Sequence, residues 1–181
     1  MIFTETPLKG SYTIAVQPYK DDRGWFARTY CKNEFKVIGH TADWVQINHS
    51  FTATKGTLRG MHFQLAPFTE IKLIRCIAGA VLDIVVDVRK NSPTFLQSFS
   101  VELSANNNTM LYIPQGFAHG FQALENNTAL IYLHSQFYQP NVEGGIRYND
   151  PAINLNWPLP INNISSRDNQ HPLLTSHFKG I

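Results

Sequence analysis

Charge is scarce in this chain: Asp, Glu, Lys and Arg make up only 15% of 181 residues, with a formal net charge of +2. That is low for a soluble globular protein. Surface not covered by charge has to be covered by something else, and an interface between two copies is one way. No Lys/Arg run occurs, so nucleic acid is not an expected partner. No stretch of about 18 apolar residues occurs either, so no membrane-spanning helix is expected. The first residues, MIFTETPLKG, hold no charged segment followed by an apolar one and do not read as a secretory signal. Cysteine is limited to Cys31 and Cys76, far apart and in no C-x-x-C pair, which fits reduced thiols in a cytoplasmic protein. Repeats, linkers and low-complexity segments are lacking as well. The length therefore indicates a single domain over residues 1–181 with a sizeable core.

Aromatic residues are plentiful: 12 Phe, 7 Tyr and 3 Trp. They favour strands. Ser11–Val16, Trp25–Tyr30, Trp44–His49 and Ile71–Ile77 read as strands, with Asp21–Gly24 a turn and Phe51–Lys55 a loop. Val81–Arg89 alternates most clearly, setting Leu82, Ile84, Val86 and Val88 against Val81, Asp83, Val85, Asp87 and Arg89. Asp87 and Arg89 read as a solvated strand end. Phe95–Leu103 and Met110–Ile113 follow, then a turn over Pro114–Gly120, then a hairpin of Gly120–Leu124 and Ala129–Ser135. Asn33–Ile38 is the one plausible helix of the N-terminal part, with Asn33 as its cap and Gly39 ending it. From about Tyr138 to the C-terminus the chain reads as irregular and holds five of the ten prolines. About ten short strands with tight turns indicate an all-β sandwich or barrel.

Within this background, Gly56–Gln64 (GTLRGMHFQ) sets Arg59 and His62 three positions apart, between glycines that let backbone approach a ligand. A cation beside an imidazole suggests an anionic substrate and a proton to be moved. Strict alternation would put the two side chains on opposite faces. Either Gly60 marks a bulge that re-aims the chain, or Arg59 serves a different part of the site.

Gly56-x5-His62-x-Gln64 and Pro114-x-Gly116-x2-His119 resemble the two motifs of the cupin superfamily, a jelly-roll β-barrel of antiparallel strands with few short helices. Metal-binding cupins carry His where Gln64 stands, with a Glu (here Glu70) and the second motif's His119 completing the set. An amide is a poor ligand for a first-row metal, so no metal is expected. The resemblance is closer to one branch, the dTDP-4-dehydrorhamnose 3,5-epimerases. It runs in order through Asp22–Phe26, GTLRGMHFQ, Lys72–Cys76, Asp83–Arg89, IPQGFAHGF, Tyr132, Tyr138, Glu143–Gly145, Asn149–Pro151 and Ser165–Asp168.

This resemblance implies epimerisation at C3 and C5 of a dTDP-linked 4-keto-6-deoxy sugar, with no cofactor. Hydrogens α to the ketone are removed by a base on one face of the ring and replaced by an acid on the other. His62 is the implied base, oriented by Asp168, which would require the C-terminal segment to fold back on the barrel. Tyr132 is the implied acid, and Lys72 the implied stabiliser of the enolate. The resemblance further implies that Arg23 and Arg59 meet the diphosphate. Gln46, Asn48, Tyr138 and Glu143 would contact the nucleotide, and Asp83, facing the cavity and able to pair with His119, would complete the polar set with it. It also implies a homodimer whose subunits share residues between sites. Arg28 stands where the family commonly has Glu, and Leu133 where many members have Lys. A single-centre epimerase acting on a related keto-sugar and a non-catalytic sugar-nucleotide-binding cupin are the alternative readings.

Overall fold

β-branched and aromatic residues favour strands, whose successive side chains turn to opposite faces. The computed structural model describes every residue, Met1–Ile181. The N-terminal half contains β1 (Ile2–Glu5), β2 (Tyr12–Ala15), β3 (Tyr19–Asp21), β4 (Gly24–Phe26), α1 (Lys32–Phe35), β5 (Gln46–Thr52), β6 (Thr57–Gln64), β7 (Lys72–Ala78) and β8 (Ala80–Asp87). The rest contains β9 (Ser98–Ser104), β10 (Thr109–Ile113), β11 (Phe117–Ala123), β12 (Thr128–His134), β13 (Glu143–Gly145), β14 (Asn163–Ile164) and α2 (Ser166–Asn169). One sheet has the order β1-β2-β10-β7-β12-β5, and the other β13-β6-β11-β8-β9. The short β14 joins β6 in parallel; the ladders flanking it are antiparallel. This is the all-β, cupin-type jelly roll that the sequence motifs imply. No helix is long and apolar enough to cross a membrane.

The two sheets face each other across a core drawn from both. Ile74, Cys76, Leu111 and Leu130 of one sheet meet Val81, Val85, Phe117 and Phe121 of the other. Burying each such side chain stabilises by about 1.5–3 kcal/mol. The second sheet is also covered outside, where Met61, Phe63, Ile84 and Val86 pack under Ile146, Ile153, Trp157, Leu174 and Phe178 of the C-terminal segment. Strand β8 is therefore buried on both faces, which accounts for its nearly unbroken apolar run. On the outside of the first sheet, Phe35 of α1 seats against Ile14, Leu73, Met110 and Tyr112. That cover stops short of β5, leaving Ile47 66% and Phe51 58% exposed.

Several boundaries differ from the sequence reading. Trp25–Tyr30 is strand only at Gly24–Phe26, within a two-stranded hairpin that pairs with neither sheet. Phe51 and Thr52 belong to β5 and not to a loop. The β11 strand begins at Phe117, so His119 lies on a strand. The cap of α1 is Cys31, not Asn33, whose Oδ1 instead accepts from Lys36 Nζ at 3.1 Å. Gly39, at φ 74°, does end the following 3-10 turn. The C-terminal segment is less irregular than its prolines suggest, because β13, β14 and α2 lie within it.

Asp87 is the clearest correction. It has no exposed side-chain surface, since the connection to β9 wraps over it. Its carboxylate accepts from Arg89 Nε at 2.9 Å and Nη2 at 2.7 Å, and from the Ser92 and Thr94 hydroxyls, each at 2.6 Å. Burial pushes this carboxyl up, but the donors of Arg89, Ser92 and Thr94 outweigh burial and hold it down to about 2. A depressed carboxylate contributes its stability above the unfolded value near 4 and loses it as pH falls through the folded value. Asp87→Asn is expected to destabilise by roughly 2 kcal/mol near neutral pH. Urea denaturation across pH should show that deficit shrinking below about pH 4; a constant deficit down to about pH 2.5 would refute it.

Candidate active site

Between the sheets, at the end where α2 and β13 close over β6, the apolar core gives way to a polar cavity of about 460 Å³. The β6–β11 register shows how its floor is built. His119 pairs with His62 and Phe121 with Arg59, so three steps on β6 match two on β11. The extra residue is a β-bulge at Gly60-Met61. It turns Arg59 to the same side as His62, and both line the cavity while Met61 packs outside. Gly60 sits at φ 122°, and a Cβ there would come within 2.4 Å of Gly120 Cα. Only glycine supplies both the backbone and the space.

His62 Nε2 lies 2.8 Å from Asp168 Oδ1, across 106 residues of sequence. Asp168 is carried by α2, capped by the Ser165 hydroxyl at 3.1 Å, and its other oxygen accepts the Gly60 N–H at 3.0 Å. The bulge glycine thus helps to orient the carboxylate. Burial pushes the Asp168 carboxyl up, but the hydrogen bonds from His62 and the Gly60 N–H outweigh it and hold it far below the ordinary carboxylate range. A neutral imidazole that donates Nε2–H to Asp168 keeps the Nδ1 lone pair to accept a proton.

On the opposite wall, β12 presents Tyr132, whose hydroxyl lies 3.2 Å from Ser50 Oγ of β5. Burial pushes the Tyr132 phenol well above its ordinary value, so it stays protonated at neutral pH. Lys72 opens β7 and is 8% exposed, paired at 3.1 Å with Glu70 Oε1. Gln46 and Asn48 share the inner face of β5, joined by a 3.2 Å hydrogen bond. Arg59 reaches the end of β5, donating to Thr52 Oγ1 at 3.3 Å and Phe51 O at 3.2 Å. Tyr138 donates to Glu143 Oε2 at 3.0 Å.

The cavity therefore gathers His62, Asp168, Tyr132, Lys72, Gln46, Asn48, Arg59, His119, Tyr138 and Glu143, as the sequence reading expects. Two residues depart from it. Asp83 does not line the cavity: it is fully buried behind His119, whose Nε2 it meets at 2.9 and 3.0 Å. Burial pushes His119 down against the pull of this carboxylate. Arg23 lies on the exposed β3–β4 hairpin, pairing with Asp21 at 2.5 Å and touching no part of the cavity.

Among the cavity residues given no catalytic or binding role from sequence are Ser50, His134, Arg167 and Glu70, the last weighed there only as a metal ligand. Alternation on β5 and β12 could have found Ser50 and His134, which share faces with Asn48 and Tyr132. Arg167 binds Glu143 Oε2 at 2.6 Å and stands 3.3 Å from His62 Nε2, a contact with no sequence signal.

The positions equivalent to cupin metal ligands are spent on other bonds. Gln64 donates to Phe68 O at 2.9 Å and accepts from the Gln139 N–H at 2.7 Å. Glu70 holds Lys72 and His134, and His119 holds Asp83. His62, Asp168 and His171 do offer ligand atoms within 4.8 Å of one another. The Arg167 guanidinium, however, already stands 3.4 Å from the same Asp168 oxygen. A fixed cation at that carboxylate opposes binding of a second one.

Comparison with known proteins finds likeness along nearly the whole chain. The family model described as dTDP-4-dehydrorhamnose 3,5-epimerase matches residues 5–176. The dTDP-4-dehydrorhamnose 3,5-epimerase of Salmonella typhimurium is 40% identical over 176 residues, covering 96% of each chain. A Bacillus anthracis dTDP-4-dehydrorhamnose 3,5-epimerase structure with TDP and PPi bound superposes at TM-score 0.92, with 38% identity, over 96% of this chain and 99% of that one. A Legionella pneumophila dTDP-6-deoxy-D-glucose-3,5-epimerase in complex with dTDP-4-keto-L-rhamnose gives TM-score 0.90 and 36% identity, over 95% and 92%.

Gly60→Ala tests the bulge. It is expected to cost more than about 2 kcal/mol or to prevent folding, because strain and a backbone clash act together. Gly39→Ala, also at positive φ but with nothing within 4 Å, should cost only about 1 kcal/mol. Equal costs in urea denaturation would refute the close approach to Gly120.

Proposed function

We propose a mechanism that proceeds from one fact: the chain belongs to the dTDP-4-dehydrorhamnose 3,5-epimerase family and is an isomerase, a 3,5-epimerase. Its substrate is a dTDP-linked 4-keto-6-deoxy sugar, dTDP-4-dehydro-6-deoxyglucose, whose ketone acidifies the hydrogens at C3 and C5. His62 Nδ1 removes each proton, and Asp168 holds the imidazole and balances the imidazolium that forms. The negative charge moves to the ketone oxygen, where the Lys72 ammonium meets it. Tyr132 returns a proton to carbon from the opposite face. No electron leaves the substrate, so the residues themselves carry every step.

The observation that carries this reading is the placement of donor and acceptor on opposing walls. His62 stands on β6 of one sheet and Tyr132 on β12 of the other, lining one cavity. Inversion requires that arrangement; a base and acid on one wall would return the proton where it came from. The high phenol of Tyr132 supports an acid that releases its proton only to a strong base such as a carbanion. Arg59 meets the diphosphate, and Gln46, Asn48, Tyr138 and Glu143 the nucleoside, at the mouth of the cavity.

We further infer a homodimer in which Arg23 reaches the partner's diphosphate site. Tyr19, Trp25 and Phe26 on its hairpin are 76%, 54% and 72% exposed, and water solvates such a surface poorly. Ile47 and Phe51 on the outer face of β5 add further exposed apolar side chains.

Exchange in deuterated water, followed by NMR on dTDP-4-dehydro-6-deoxyglucose, tests the chemistry. Deuterium is expected at both C3 and C5; incorporation at one centre alone would mark a single-centre epimerase, and binding without exchange would remove the enzyme reading. His62→Ala should abolish exchange at both centres. Asp168→Asn should lower kcat on the order of 10³-fold or more, as loss of a His-orienting carboxylate does elsewhere. Tyr132→Phe should allow proton removal but block inversion, and unchanged product formation would refute its role. Trp25→Glu should give a monomer by sedimentation, with a raised KM; a persisting dimer would sink the hairpin interface.

A further inference from the structure

We propose that His134 is a positioning residue for Lys72, the middle link of a hydrogen-bond chain from the nucleotide end of the cavity to the ammonium beside the enolate. The role given to Lys72 rests on the epimerase reading above. The chain starts at the Tyr138 N–H, which donates to Gln46 Oε1 at 3.1 Å. Gln46 Nε2 donates to Asn48 Oδ1 at 3.2 Å, and Asn48 Nδ2 stands 3.3 Å from His134 Nε2. His134 Nδ1 then lies 2.7 Å from Glu70 Oε2, and Glu70 Oε1 pairs with Lys72 Nζ at 3.1 Å.

Donors run in one direction from Tyr138 to Glu70, which accepts from Lys72 on its other side. An ionised Glu70 only accepts, so His134 has to donate from Nδ1. The Asn48 amide nitrogen only donates, so His134 has to accept at Nε2. One tautomer, the neutral Nδ1–H form, satisfies both neighbours, and reversing either amide would break two contacts at once. Glu70 is ionised in this setting. Burial pushes its carboxyl up, but the His134 hydrogen bond and the Lys72 charge outweigh burial and hold it below its ordinary value. The His134 ring also stacks beside Tyr132, at 6.1 Å and 22° between planes, which fixes the ring plane.

The consequence falls on Lys72, whose ammonium has Glu70 as its carboxylate partner in a nearly buried setting. A carboxylate held at both oxygens by different donors cannot rotate to close a tighter pair with either. Loss of the His134 donor frees Glu70 to turn fully onto Lys72 and draw the ammonium away from the ketone oxygen. Contacts made by the nucleotide with Gln46, Asn48 and Tyr138 stiffen the far end of the same chain. Binding energy from a part of the substrate that does not react is thereby expressed at the reacting oxygen, in kcat more than in KM.

Two amide replacements separate the links. The amide of His134→Asn stands where Nδ1 stands and keeps the donor to Glu70, whereas that of His134→Gln stands nearer Nε2 and loses it. His134→Gln is expected to lower kcat by roughly 10- to 100-fold, the cost of one hydrogen bond to a charged group. Its KM and its dTDP affinity by calorimetry should stay near wild type, and His134→Asn, which keeps the Glu70 donor but breaks the link to Asn48, should lose clearly less kcat than His134→Gln. Equal losses in the two variants, or a loss confined to KM, would overturn the proposal. Nitrogen-15 NMR of the unliganded protein reads the chain without turnover. The Nδ1–H tautomer, with a proton resonance that moves in Glu70→Gln, is expected; the Nε2–H tautomer would overturn the proposal. A wild-type protein with the expected tautomer but no exchange on substrate would sink the epimerase reading and leave the chain standing.

Discussion

The hydrogen bond between His62 and Asp168 is the constraint on which the architecture turns. Its two halves are 106 residues apart, one on a central strand and the other on a helix of a single turn. A four-residue helix has no stability of its own, so Asp168 is held by what surrounds it. The Ser165 hydroxyl caps it from one side and the Gly60 N–H binds it from the other. The C-terminal segment that delivers it also supplies Ile146, Ile153, Trp157 and Phe178 to the outside of the second sheet. Apolar burial outside the barrel thus sets the position of one carboxylate inside it.

The same logic governs the other polar groups. A buried charge without a partner is costly, and each one here has been given a partner that also sets its direction. Asp83 holds His119, Glu70 holds Lys72 and His134, and Glu143 holds Arg167 and Tyr138. The residues that a metal-binding jelly roll would turn toward an ion are here turned toward one another or toward backbone. Gln64 spends both ends of its amide on main-chain groups.

Much of this was legible in the sequence, and the reasons are local. The apolar run of β8 and the face shared by Leu130, Tyr132 and His134 follow from period-two alternation. The motif around His62 and the Ser-Ser-Arg-Asp at α2 brought His62 and Asp168 together through resemblance alone, since no spacing rule connects residues so far apart. The bulge at Gly60 was one of two options that alternation left open, and the register with β11 decides for it. Burial of Asp87 was not legible, because a strand end is solvated or buried according to the connection that crosses it. Nor was the removal of Asp83 from the cavity, which depends on the His119 ring lying in front of it. Nor was the position of Arg23, which lies on an exposed hairpin away from the cavity.

The paired glycines of β6 and β11 carry a consequence for the history of this sequence. A Cβ on Gly60 would strike Gly120, and a Cβ on Gly120 would meet Met61 Sδ at 2.6 Å and Arg59 O at 2.8 Å. Neither position can be relieved by a change at the other, because both are already at the smallest size available. Both positions are therefore closed to any residue with a Cβ while the two strands keep this approach. A lineage can replace the His62 side chain by a single substitution. It cannot abandon the bulge that aims His62 without rebuilding both strands.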